Sequence, residues 1–430
     1  MYSTHVCSSF ISIPFPPSKS TTHKHKYFKL LHPILRNSAP KMSLNQNLIN
    51  TITKLLWGNS LPPQLLISTV RSSWSATWRL MMSQLAPSDP TGSYNRPTSQ
   101  FRLYSNPKSK KLHLYVGLPC PWAHRTLIVR ALKGLEDSIP ISIASPGIDG
   151  SWEFRVSSDP NKDKLVPCLD KANGCKTLRE VYNLRSGGYS GRSTVPMLWD
   201  MENKEVVCNE SYDIIELFNS GFNGIAGNPE LDLSPPSLKD EIGKWNDIIY
   251  PNINNGVYRC GFAQSQEAYD KAAEGLFTTL EMLEDHLGGS RYLCGDALTL
   301  ADVCLFTTLI RFDVVYNVLF KCTKKKLIEF TNLHGYLRDI YQMPKVAETC
   351  NMAQTMEGYY KFLFPLNPGV LIPLCLVVVR MKCSPSLITE TRCHWRQKLC
   401  NTLFLEFNFD HLIGVCAVYI LVCTIVYYVV

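Results

Sequence analysis

The stretch Tyr115-Val116-Gly117-Leu118-Pro119-Cys120-Pro121-Trp122-Ala123-His124-Arg125 sets a cysteine between two prolines where an apolar run gives way to a helical pattern. Pro121 suits a first helical turn, where its missing N–H costs nothing, so Cys120 falls at a helix N-terminus. A thiol there feels the partial positive charge of unpaired N–H groups, which favours thiolate and nucleophilic chemistry. Most of the 16 cysteines are expected to be small buried hydrophobes. The strand-Cys-Pro-helix context is what singles out Cys120.

Working outward, 111–116 reads as a strand, a helix runs from about His124 to Leu135 with Leu127, Ile128, Ala131 and Leu132 on one face, and 139–144 reads as the next strand. That β-α-β order requires a right-handed crossover and a parallel pair. Residues 146–186 form a long polar insertion in which Trp152 stands out. The stretch 191–200 is a strand opening on Pro196, and Glu205 to Cys208 is its hairpin partner, followed by a helix start at Asn209-Glu210-Ser211-Tyr212-Asp213. The whole order is that of a thioredoxin-like domain, placed at 91–222, and in such a domain the Val195–Pro196 bond is expected to be cis.

From about Leu238 the apolar spacing turns to threes and fours, with helices near 238–250, 266–287, 300–320 and 333–341. Thr299-Leu300-Ala301-Asp302 reads as a capping box with Asp in place of Glu. The predicted fold class is therefore α/β plus all-α, a thioredoxin-like N-terminal domain followed by an all-helical C-terminal domain at 236–370.

The net charge of +8 hints at nucleic acid until it is located. Residues 1–88 hold no Asp or Glu and nine Lys or Arg, which leaves the rest at about −1 and removes the main support for nucleic-acid binding. A basic, Ser/Thr-rich, acid-free leader is expected of an organelle transit peptide, and the lack of arginine in residues 1–20 favours plastid over mitochondrion, with a disordered tail on a cytoplasmic protein as the alternative. The cysteines show no C-x-x-C pair and no zinc spacing, so reduced thiols and no metal are expected. Residues 371–430 are atypical, and their uncharged run 412–430 is long enough for a membrane-spanning tail, the only expected membrane contact; the alternative is a segment foreign to what precedes it.

Cys120-Pro121-Trp122-Ala123-His124-Arg125-Thr126, the stretch 191–200, Asn254-Asn255-Gly256-Val257-Tyr258-Arg259-Cys260-Gly261-Phe262-Ala263 and Leu309-Ile310-Arg311-Phe312-Asp313-Val314-Val315-Tyr316 resemble the glutathionyl-hydroquinone reductases, the omega-like xi class of glutathione transferases. The resemblance covers about residues 91 to 373. It implies glutathione as co-substrate, a glutathionylated quinone or hydroquinone as substrate, and a homodimer. It implies Cys120 as the nucleophile that takes up the glutathione sulfur, and Tyr258, Tyr316 and Tyr359 as the tyrosine set that can supply a proton. Around Tyr359 the family's segment is altered, to Ala353-Gln354-Thr355-Met356-Glu357-Gly358-Tyr359-Tyr360. Trp152, Arg192, Ser193, Thr194, Val195, Glu210 and Ser211 are implied around glutathione. Two alternatives stay open: an omega-like thioltransferase or dehydroascorbate reductase, which shares the cysteine without needing three tyrosines, and a non-catalytic membrane-associated module of the same fold.

Overall fold

The computed structural model describes residues 64–107, 109, 111–156 and 165–373, with residue 54. The chain divides into two units, 1–73 and 74–430. The described part of the first is residue 54 and the opening of helix α1 (Gln64–Leu85); the second holds both domains. Helix α1 lies within the acid-free leader, 1–88. Residues 64–85 contain neither Gly nor Pro, the side chain of Met82 is fully buried, and the Trp78 indole N–H donates to the Pro365 carbonyl at 3.1 Å. The rest of the leader and the tail 374–430, with its apolar run, lie outside the described residues. Among the described residues no helix is long and apolar enough to cross a membrane.

The first domain is built on a five-stranded sheet of order β3-β2-β1-β4-β5. Its strands are β1 (Leu112–Gly117), β2 (Ile141–Pro146), β3 (Trp152–Glu153), β4 (Met197–Asp200) and β5 (Glu205–Cys208). β1 pairs in parallel with β2, Leu114 opposite Ile141, and antiparallel with β4, Tyr115 opposite Met197. Every residue of β1 is buried, as a central strand covered on both faces requires. The expected β-α-β, insertion, β-β-α order is present, and the Val195–Pro196 bond is cis.

Helix α2 (Pro121–Leu132) begins three residues before the periodic run suggests, because Pro121 occupies its first position and Cys120 caps it with extended backbone. It is buried from Pro121 to Ala131, since it is covered by the sheet on one side and by the helical domain on the other. Short helices α3 (Leu178–Asn183) and α4 (Ser211–Glu216) complete this domain.

The helical domain contains α5 (Lys239–Ile249), α6 (Gly256–Gly261), α7 (Gln266–Gly289) and α8 (Leu300–Arg311), the last buried along its whole length against α2. Its central start is fixed by Asp302, which accepts from the backbone N–H groups of Thr299 (2.8 Å) and Leu293 (2.9 Å) and from the Tyr336 hydroxyl (2.9 Å). The single helix expected over 300–320 is three pieces: α8, a wide π-helical turn at Phe312–Tyr316, and α9 (Asn317–Leu319). A π turn sits as a single turn inside an α-helix, and with Phe312, Val314, Val315 and Tyr316 in it the apolar pattern runs on through it. Helices α10 (Thr331–Tyr341) and α11 (Met352–Phe362) close the domain.

Candidate active site

The end of β1 and the start of α2 place Cys120 at the junction of the two domains. Its N–H donates to the Gly117 carbonyl at 3.0 Å, the His124 N–H donates back to the Cys120 carbonyl at 3.1 Å, and its Sγ lies 3.4 Å from the Val195 carbonyl. The helical domain grips this turn from behind. Arg311 donates to the carbonyls of Leu118 (2.9 Å) and Pro119 (3.2 Å), and the Thr355 hydroxyl donates to Leu118 O at 3.3 Å. Helix α11 approaches closely at Gly358, where a Cβ would overlap the Pro119 ring. Gly358→Ala is therefore expected to cost about 1–3 kcal/mol through overpacking. Urea unfolding at constant pH checks this, and an unchanged midpoint would contradict it.

The helix N-terminus acts on the thiol as expected, through the N–H groups of Ala123 and Trp122, and Arg96 and Arg311 pull in the same direction. The outcome nonetheless corrects the sequence reading: burial outweighs these influences and pushes the Cys120 thiol above its ordinary pKa. Position at a helix start was legible in the sequence, whereas the depth of burial comes from the helical domain packed over the turn.

A cleft of about 160 Å³, lined by Trp122 and Val195 but not by Cys120 itself, opens between the segment 94–100 and the edge of the sheet domain. Arg192, Thr194, Val195, Glu210 and Ser211 line it, as their expected grouping requires. Glu210 accepts from the Ser99 hydroxyl at 2.7 Å and from the Tyr212 N–H at 3.3 Å, so it caps α4 while facing the cleft. Ser211 Oγ accepts from Arg125 at 3.4 Å. Ser193 and Trp152 are not among the lining residues. Ser193 Oγ is buried without a hydrogen-bond partner, and the Trp152 ring lies against Gly117, at the strand end that leads into the cysteine turn.

Sequence reasoning missed two contributors to this cleft, Arg96 and Ser99. Arg96 lies over one face of the Trp122 ring, 4.0 Å from its centroid, while Arg125 lies 4.3 Å from the same centroid. Ser99, from the same irregular segment as Arg96, holds Glu210. That segment has no periodicity to betray its role.

The three tyrosines converge. Tyr359 is the hub: its hydroxyl is 2.6 Å from that of Tyr258 and 3.1 Å from that of Tyr316. The altered sequence around Tyr359 thus leaves its place in the cluster intact. The Tyr316 ring stacks on Phe320 at 5.3 Å and meets Tyr359 edge-on at 5.8 Å. Burial raises the pKa of all three phenols, and a negative charge on Cys120 would raise those of Tyr258 and Tyr316 further, which reflects how near the thiol is. A nucleophilic sulfur, a polar cleft and a cluster of protonated phenols at one junction can carry out thiol exchange coupled to proton delivery. Among the described residues no cluster of His, Cys, Asp or Glu could hold a metal.

Comparison with known proteins agrees in both domains. Residues 119–220 match the family model for the glutathione S-transferase N-terminal domain and residues 266–339 that for its C-terminal domain. Over 267 residues the chain is 45% identical to glutathionyl-hydroquinone reductase YqjG of Escherichia coli, covering 61% of this chain and 79% of that protein. Over 265 residues it is 41% identical to glutathionyl-hydroquinone reductase PcpF of Sphingobium chlorophenolicum, covering 61% and 82%. The structure of glutathione-S-transferase Xi from Phanerochaete chrysosporium superposes with a TM-score of 0.63 at 38% identity over 67% of this chain and 94% of that one. Glutathione-bound YqjG from Escherichia coli gives 0.58 at 45% identity over 62% and 85%.

Proposed function

Because the chain belongs to the xi-class glutathione transferases, enzymes of the glutathionyl-hydroquinone reductase family with glutathione as co-substrate, we propose that it reduces glutathionyl-hydroquinones to hydroquinones through a mixed disulfide on Cys120. The observation that carries this reading is a cluster of three hydrogen-bonded phenols whose hub, Tyr359, follows Gly358, the residue packed on the Pro119 ring next to Cys120.

In the first step the Cys120 thiolate attacks the sulfur of the substrate's glutathionyl group. The sulfur–sulfur bond forms as the sulfur–ring-carbon bond breaks, and its electron pair passes to the ring. A phenol of the Tyr258–Tyr359–Tyr316 cluster delivers a proton to that carbon, which releases the hydroquinone; raised phenol pKa values keep the proton available for this step. A second glutathione thiolate then attacks the mixed disulfide, regenerates Cys120 and leaves as glutathione disulfide, so the two electrons come from two glutathiones.

Glutathione carries two carboxylates and one ammonium at neutral pH. The cleft offers cations from Arg96 and Arg192 and one carboxylate from Glu210, which suits that charge pattern. The acid-free composition of residues 1–88 supports action in the plastid.

The test is to supply the purified full chain with a glutathionylated hydroquinone and glutathione, follow hydroquinone by chromatography, and look for a glutathione adduct on Cys120 by mass spectrometry. Absence of both would defeat the proposal. Tyr258→Phe separates it from the thioltransferase reading. The variant is expected to lose hydroquinone release by about a hundredfold, the order a positioned general acid contributes, while exchange with a simple glutathione disulfide changes little. Equal loss of both activities would favour the thioltransferase.

A further inference from the structure

Arg311 ends helix α8 and is 1% exposed. A guanidinium this deep is normally met by a carboxylate. Among the described residues its hydrogen-bond partners are all neutral: the carbonyls of Leu118 (2.9 Å), Pro119 (3.2 Å) and Thr307 (2.7 Å), and His124 Nδ1 at 3.0 Å. Arginine can only donate, so His124 Nδ1 accepts, and the proton of the neutral ring sits on Nε2, which donates to Thr349 Oγ1 at 2.9 Å. Burial and Arg311 itself hold His124 in that neutral form. The cation is thus satisfied in its hydrogen bonds and left uncompensated in its charge, directly behind the turn that carries Cys120.

We infer that Arg311 is a positioning residue that fixes the cysteine turn and serves as one shared countercharge, first for the Cys120 thiolate and then for the tyrosinate formed in the phenol cluster. The inference rests on the reaction proposed above. In its first step the negative charge leaves sulfur, because Cys120 becomes neutral in the mixed disulfide, and it reappears on a phenol oxygen once the proton has moved to the ring carbon. The charge is displaced but not created, and Arg311, bonded to the carbonyls of Leu118 and Pro119 beside the sulfur and joined to Tyr316 by the wide turn, serves both stations. Its field favours the ionised form of Cys120, of Tyr316 and of Tyr359. Arg96, the other cation acting on Cys120, is not among the main charges acting on any of the three phenols. Among the described residues, the titratable and charged groups that face this region include Arg96, Arg311, Cys120, the three tyrosines, His124 and Cys350, whose Sγ lies 3.6 Å from His124 Nε2.

Two variants separate charge from hydrogen bonding: Arg311→Gln, which keeps a donor and removes the charge, and Arg311→Lys, which keeps the charge and loses the fork. The readouts are the pH midpoint of Cys120 alkylation by iodoacetamide and the single-turnover rate of hydroquinone release above that midpoint, with circular dichroism to verify folding. For Arg311→Gln the midpoint is expected to rise by about one pH unit or more, the usual reach of a nearby opposite charge. Its release rate should stay at least about tenfold low even where the thiol is fully ionised, because the tyrosinate has lost its partner. Arg311→Lys should keep a midpoint within about half a unit of the parent.

A folded Arg311→Gln with the parental midpoint would overturn the inference. So would a folded Arg311→Lys whose midpoint rises by a full unit, since hydrogen bonding and not charge would then set the thiol; this arm decides alone if the glutamine variant does not fold. Alkylation needs no substrate. If the parent protein failed to release hydroquinone, the proposed reaction would fall, while the midpoints would still report whether Arg311 supports the thiolate.

Discussion

Cys120→Ser is expected to lose hydroquinone release by roughly a thousandfold or more, the order found when a nucleophile is deleted, and to carry no glutathione adduct in its intact mass. Two effects combine. A serine hydroxyl has no anion accessible near neutral pH, and oxygen cannot form the mixed disulfide on which the second glutathione acts. The fold should be unaffected, because the sulfur's hydrogen bond to Val195 O is one that a hydroxyl can also donate. A serine variant that kept a tenth of the parental rate would show that glutathione attacks the substrate directly. The same thiol sets a pH dependence. Burial raises its pKa above the ordinary thiol value, so kcat/KM of the free enzyme should still be climbing, without a plateau, across pH 7 to 9.

The second large effect is on stability in mild acid. His113 is 1% exposed on the central strand, where its Nε2 lies 2.8 Å from Ser142 Oγ. The same serine oxygen accepts from the Lys171 N–H, which holds it in place beside the ring. Burial lowers the His113 pKa to about 4, against an unfolded value of about 6.5. The unfolded chain therefore binds a proton that the native chain refuses, and stability falls as pH drops through this interval. The expected loss is about 2 kcal/mol between pH 7 and pH 5 from His113 alone, with His124 adding in the same direction.

Asp302, Asp313 and Glu216, raised by burial, oppose the trend nearer their own titration range, so pH 7 to 5 is the interval in which to read the histidines. Urea midpoints at the two pH values, compared with those of His113→Gln, measure the effect. An unchanged midpoint in the parent would refute it.

What could be read in the residues was whatever local pattern controls. Period two and period 3.6, the proline after Cys120 and the capping residues at Thr299 place the sheet, α2 and the start of α8 close to where they are found. Glu210 and Ser211 come together with Val195 because they follow from that topology. What could not be read depends on long-range packing. The acidity of Cys120 turns on how much of the helical domain covers it. Arg96 and Ser99 act from a segment with no repeating pattern. Tyr359 looked the weakest of the three phenols by its neighbours in sequence, yet its position depends on which side of α11 meets the other two hydroxyls. Arg311 was visible only as part of a family-like stretch, and its work lies in contacts 187 to 193 residues away in the chain.

The wide turn at Phe312–Tyr316 joins the two ends of this chemistry, since Arg311 precedes it and Tyr316 closes it. A π-helical turn holds one residue more than the α-helical ladder around it. Were this turn to tighten into ordinary helix with all its residues kept, everything beyond it would rotate by about 100° relative to Arg311. Tyr316 would swing away from Tyr359 while the cation stayed in place. The width of this turn is thus itself a determinant of the site, as much as the identity of the cation before it or the phenol at its end.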